Sequence, residues 1–202
     1  MILRQLQALW SREAADYDVI MTWAACCTAF FGFFRIGEIT EELVTGCSGV
    51  AVSDVAVDDH RSPSMVKIHL RRSKTDQFCR GVDVYMGSTG DALCPVAALL
   101  AYLAVRGGEY GPLFYLKDGR SLTREIFTNK VRAALSVVGY DSSVYAGHSF
   151  RIGAATTAAE QGIEDSVIKM LGRWKSSAYQ LNVRMTREVL SSILRKLVRD
   201  RA

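Results

Sequence analysis

The sequence predicts a mostly helical α+β domain carrying one small three-stranded antiparallel sheet. Three observations predict it. Segments of period-two, β-branched character are confined to residues 50–86. Apolar residues at helical spacing flank that stretch on both sides. Glycine and proline fall where helices should start or stop. With 202 residues, 49% hydrophobic and 23% charged, the chain can bury one sizeable core. Its three prolines and the lack of any repeat or low-complexity tract mark no linker, so residues 1–202 are expected to form a single domain.

Taken in order, Ile2, Leu3, Leu6, Leu9 and Trp10 recur at helical spacing and predict an amphipathic first helix. A polar break over 11–18 precedes a strongly apolar run, Val19 to Phe34, read as one buried helix ending near Gly37 to Thr40. Four alternating segments follow: Val50-Ala-Val, Val55-Ala-Val, Val66 to Leu70 and Val82 to Met86. Turns are expected at Asp58 to Ser64 and Ser73 to Gly81, and three strands between them. Pro95 suits the first turn of a helix over Val96 to Val105, which Gly107-Gly108 ends. Ser121-Leu-Thr-Arg-Glu opens a helix through about Val138, closed by Gly139. An alanine-rich helix is expected from His148 to Gln161, then short ones over Asp165 to Leu171 and Ser176 to Val183. The last, Thr186 to Asp200, sets Val189, Leu190, Ile193, Leu194 and Leu197 on one stripe.

Composition excludes several classes. The apolar run Val19 to Phe34 is shorter than the ~20 residues of a spanning helix, and Thr22, Thr28 and Gly32 interrupt it, so no membrane segment is expected. The basic and cleavage features of a signal peptide are missing. Five cysteines, at 26, 27, 47, 79 and 94, form no CxxC pair, and His60, His69 and His148 show no ligand spacing. Neither a metal nor a cofactor is expected. Reduced, buried thiols point to an intracellular compartment. The net charge of +4 permits a polyanionic partner.

Four places can carry chemistry. Arg35 leaves a buried aromatic run and needs an anion, either a ligand or Glu38 one turn on. Lys74 sits in a basic turn after Arg71-Arg72, fit to probe a nucleic-acid backbone or simply solvated. His148 and Arg151 share one face at a helix start, where backbone N–H groups favour an anion; His148 as a mere cap is the alternative. Trp174, flanked by Arg173 and Lys175, offers an indole N–H or plain core packing.

The order of these pieces resembles the tyrosine recombinase (phage integrase) family. Arg-Ile-Gly-Glu follows a buried helix, Lys74 lies in a β-turn, His-x-x-Arg opens a helix, and Gly-Arg-Trp precedes a short one. The resemblance runs from about Phe30 to Arg184. Leu93-Cys-Pro-Val-Ala-Ala-Leu and Gly-Arg-Trp-Lys-Ser-Ser-Ala-Tyr are similar to eukaryotic mobile-element members of the Crypton and DIRS type. The resemblance implies the catalytic-domain fold of that family and double-stranded DNA as partner. It implies that Arg35 and Arg151 clamp the scissile phosphate and that Lys74 is the general acid. It also implies that His148 assists proton transfer and Trp174 holds the phosphate. Arg71, Arg72, Arg173 and Lys175 are expected on DNA. The family cleaves and rejoins strands through a 3′-phosphotyrosyl intermediate.

Two departures stand out. The nucleophile position, eight residues after Trp174, holds Asn182, whose amide forms no phosphoester. Tyr179, three residues earlier, is a fallback nucleophile. Cleavage is therefore expected to be impaired. The separate N-terminal core-binding domain of the family is expected to be absent, since only about 18 residues precede the buried helix. The competing expectation is a co-opted, non-catalytic DNA- or chromatin-binding module; an unrelated helical interaction domain is a third. By the same resemblance, residues 186–200 pack either on their own domain or in trans on a neighbour; self-association through them is the arrangement common in the family.

Overall fold

A computed structural model describes residues 2–11, 16–41, 49–72, 81–108 and 110–176. Lys74, Tyr179, Asn182 and the expected helix over 186–200 lie outside the described residues, as does nearly all of the one over 176–183.

Helix α1 (Ile2–Trp10) turns Leu3, Leu6 and Trp10 into the core. Trp10 meets the edge of Trp23 with ring centroids 6.1 Å apart. Helix α2 (Tyr17–Phe31) starts where the Asp16 carboxylate accepts the Val19 N–H at 3.1 Å. It is buried over Met21, Thr22 and Ala24–Ala29, so it is the central rod of the domain. The sequence reading carried this helix on to Gly37; the structure breaks it at Gly32. A Cβ on Gly32 would stand 2.3 Å from the Phe34 ring and 2.9 Å from the Thr28 carbonyl. Phe33 then adopts φ 50°, left-handed backbone that bulky residues rarely take. The break re-aims the chain into a one-turn helix, α3 (Ile36–Ile39), with Arg35 at its N-cap.

The sheet is β1 (Val55–Val57), β2 (Met65–Leu70) and β3 (Val82–Gly87), antiparallel throughout in the order β1-β2-β3. Val57, Val66 and Met86 align, as do Val55, Ile68 and Val84. One face buries Val66, Ile68, Leu70, Val84 and Met86, while Lys67, Asp83 and Tyr85 take the other, as period two requires. Val50-Ala-Val is not one of these strands. The Val50 carbonyl accepts the Leu113 N–H at 2.8 Å, Ala51 bridges Pro112, and Val52–Asp54 form a 3-10 turn. A short alternating run carries no information about which chain it will pair with.

Helix α4 (Pro95–Arg106) packs along α2. Its last residue, Arg106, is buried, and its guanidinium donates to five main-chain carbonyls: Gly107, Gly108, Tyr110, Pro112 and Leu113, at 2.7–3.0 Å. Helix α5 (Arg124–Val137) is capped by Thr123, and α6 (Ser149–Glu160) and α7 (Asp165–Leu171) follow. Ala154, Ala155 and Ala158 of α6 form a second small core with Phe33 and Ile168, against which Phe30 and Trp174 pack. Alanine here lets α6 lie close to the end of α2, which brings its first turn onto the α2–α3 corner.

Cys26, Cys27 and Cys94 are buried free thiols. Among the described residues, no helix is long and apolar enough to cross a membrane, and no three His, Cys, Asp or Glu side chains group as a metal site.

Candidate phosphate-binding site

The corner between α2 and α3 gathers three arginines from distant parts of the chain. Arg35 comes from the corner itself, Arg151 from the first turn of α6, and Arg173 from the exit of α7. Arg151 is 5% exposed. Its guanidinium donates to the Phe33 carbonyl at 2.7 Å and to the Gly172 carbonyl, and lies over the Trp174 ring at 4.3 Å. Burial first, then the neighbouring charge of Arg35, pulls its pKa down to about 9, so it remains cationic at neutral pH.

The Gly172-Arg173-Trp174 sequence can now be read physically. A Cβ on Gly172 would sit 1.5 Å from the Trp174 ring, so only glycine lets the indole fold back over Arg151. Arg173 takes φ 56° to make the turn. Trp174 also meets Phe33 edge-on at 6.3 Å. Gly172→Ala should therefore cost about 1–3 kcal/mol through overpacking. A thermal melt should fall accordingly, and Trp174 fluorescence should change; an unaltered melt would mean that the ring has room to move aside.

Glu38, buried, is the carboxylate that meets this group among the described residues. It accepts from Arg35 Nη1 at 2.8 Å, from the Arg35 N–H at 2.9 Å and from Arg173 Nη2 at 3.1 Å. Three guanidiniums and one carboxylate leave the cluster strongly positive, a natural seat for a phosphate.

Of the residues singled out in the sequence, Arg35, Arg151 and Trp174 lie together here. His148 is exposed at the N-cap of α6, one turn before Arg151. Arg173, expected on DNA, has a largely buried guanidinium at the corner. It donates to the carbonyls of Gly32 at 2.9 Å and Phe33 at 3.1 Å, and lies over the Phe34 ring at 4.9 Å. Arg71 pairs with Asp54 at 2.6 Å while staying largely exposed, and Arg72 and Lys175 are exposed. The shared role of Glu38 was half visible: its i+3 spacing from Arg35 was readable, its bond to Arg173 was not. The only signal for the latter is tertiary.

No family model matches the chain. Its sequence is 31% identical over 122 residues to an integrase/recombinase xerD homolog of Selenomonas ruminantium, a match covering 57% of this chain and 36% of that protein. The chain thus spans about a third of the length of this curated relative. Its fold is similar to the crystal structure of XerA recombinase, with TM-score 0.73, 18% identity, and coverage of 99% of this chain and 64% of that one. It is also similar to XerH site-specific recombinase bound to difH substrate, with TM-score 0.67, 14% identity, and coverage of 95% and 51%. A Flpe–Holliday junction complex follows at TM-score 0.59 and 12% identity, covering 88% and 44%. The fold is that of a tyrosine-recombinase catalytic domain.

Proposed function

We propose that this domain binds duplex DNA and belongs to the machinery of strand cleavage and rejoining used by tyrosine recombinases, with the cleavage step impaired at Asn182. The observation that supports the reading most is the convergence of Arg35 and Arg151 on one corner beside Trp174. Arg35 and Arg151 would hold the non-bridging oxygens of the scissile phosphate, where charge grows during attack. Lys74 would protonate the leaving 5′-hydroxyl, His148 would assist proton transfer, and Trp174 would fix Arg151 and the phosphate. Arg71, Arg72 and Lys175 would meet the flanking backbone. Neither metal nor nucleotide has a part in this chemistry, because a phosphotyrosine link conserves the bond energy. The Gly-Arg-Trp-Lys-Ser-Ser-Ala-Tyr segment favours a mobile-element member, with nuclear action if the host is eukaryotic. Self-association through 186–200 belongs to the same reading. Asn182 favours a second reading, a co-opted DNA-binding module that no longer cuts.

Duplex binding measured against salt tests the phosphate site. Arg35→Ala should lower the slope of log affinity against log salt by about 0.9, the value of one lost phosphate contact. An unchanged slope with a lowered melting temperature would leave Arg35 as nothing more than the partner of Glu38.

A further inference from the structure

We propose that Arg173 is a positioning residue for DNA binding: it holds Glu38 so that Arg35 is free to leave Glu38 for a phosphate. The inference rests on the phosphate-site reading above and concerns what that site must do when DNA arrives.

Arg35 is the one member of the Arg35–Glu38–Arg173 group with appreciable exposure, its side chain being 22% exposed against 6% and 11% for Glu38 and Arg173. It is therefore the one able to swing to an external anion. Leaving has a consequence for Glu38. A buried carboxylate stripped of its counter-charge is costly, because its desolvation is no longer offset. Glu38 would keep the Arg35 backbone N–H at 2.9 Å and Arg173 Nη2 at 3.1 Å. Arg173 supplies the charge that makes the exchange feasible. Its geometry suits that task rather than direct DNA contact. Its other donors reach inward to Gly32 and Phe33, and its Nε is buried without a hydrogen-bond partner among the described residues. All these bonds reach across more than 130 positions of sequence, so they tie Arg173 to the α2–α3 corner.

The test is a set of affinities of the full chain for a short duplex of arbitrary sequence, each over a salt series. Arg173→Gln should weaken binding about tenfold and lower the salt slope by about one, because Arg35 stays locked on Glu38. Adding Glu38→Gln should restore both, since a neutral amide no longer holds Arg35. Arg173→Gln should have no further effect on a chain already carrying Arg35→Ala. Arg173→Lys should recover most of the affinity by keeping the charge beside Glu38. Direct contact between Arg173 and DNA would appear as losses that add to those of Arg35→Ala and that Glu38→Gln fails to rescue, and would overturn the proposal. So would unaltered affinity in Arg173→Gln. Should Arg173→Gln not fold, Glu38→Gln alone decides: tighter binding supports the exchange, weaker binding refutes it. An Arg35→Ala chain that binds DNA with unchanged affinity and slope would instead sink the phosphate-site reading, a distinct result.

Discussion

Asn182→Tyr is expected to convert a chain that forms no covalent link to DNA through residue 182 into one that does. The readout is a denaturing gel after incubation with a phosphorothiolate or nicked suicide duplex, which traps the covalent intermediate. Asparagine has no hydroxyl to attack phosphorus, so the effect of the substitution is qualitative. The expected mechanism depends on a phosphate already oriented by Arg35, Arg151 and Trp174. Adding Arg151→Lys should therefore reduce the adduct by about a hundredfold or more, since one ammonium replaces a planar fork of donors. A high DNA concentration makes up for weak binding. An adduct from the unaltered chain that Tyr179→Phe removes would move the chemistry to Tyr179. No adduct from either form, on a duplex that both demonstrably bind, would leave the non-cutting module as the better account.

The largest stability effect should come from Arg106, far from that chemistry. Arg106→Met keeps the aliphatic stem but strands five main-chain carbonyls of residues 107–113 inside the protein. The contact of its guanidinium with the Tyr115 ring, 4.8 Å from the centroid, would go too. Each buried acceptor left unpaired costs about 1–3 kcal/mol, part of which water entering the loop will recover. A net loss of about 3–5 kcal/mol is expected, seen as a fall of about 10 °C in melting temperature for a chain of this size. Lys130→Met is the comparison. It removes a partly exposed pair with Asp18 at 2.9 Å and should cost under about 1 kcal/mol. Equal effects from the two would mean that the loop finds other partners once Arg106 is gone.

The fold was readable wherever a local rule had one outcome. Period two delimited β2 and β3, Pro95 and Gly107 bracketed α4, and Asp165–Leu171 was placed to the residue. It was not readable where packing overrode the local pattern. Val19 to Phe34 is strongly apolar on both sides of Gly32, so its periodicity does not announce that Gly32 ends the helix. The cause is the Phe34 ring lying where a side chain at Gly32 would be. Val50-Ala-Val looked like a strand because alternation cannot tell a sheet partner from the isolated bridge to Pro112. For the corner, the sequence shows basic residues in a suggestive order but not their partners. Arg173 and Lys175 flank Trp174 symmetrically in sequence; one is buried on Glu38 and the other exposed. What separates them is the left-handed turn at Arg173, which turns its side chain inward. Lys74 and Asn182 lie outside the described residues, so their placement rests on the proposed function alone.

Under the proposed function, the way Arg151 is held has a consequence for how the domain would meet DNA in the ionic conditions of a cell. Its fixing groups are the carbonyl dipoles of Phe33 and Gly172 and the face of an indole, none of which carries a formal charge. The cation is immobilised without being cancelled. An approaching phosphate would have no ion pair of Arg151's own to break, because the corner's carboxylate, Glu38, is bonded to Arg35 and Arg173 instead, and Arg151 is only 5% exposed. Small mobile ions, which mask surface lysines within about 10 Å at 0.1 M, have poor access to it. On that reading, raising ionic strength should strip a duplex from the outer basic residues first and from this corner last, so that the final foothold would be the one at the proposed phosphate site.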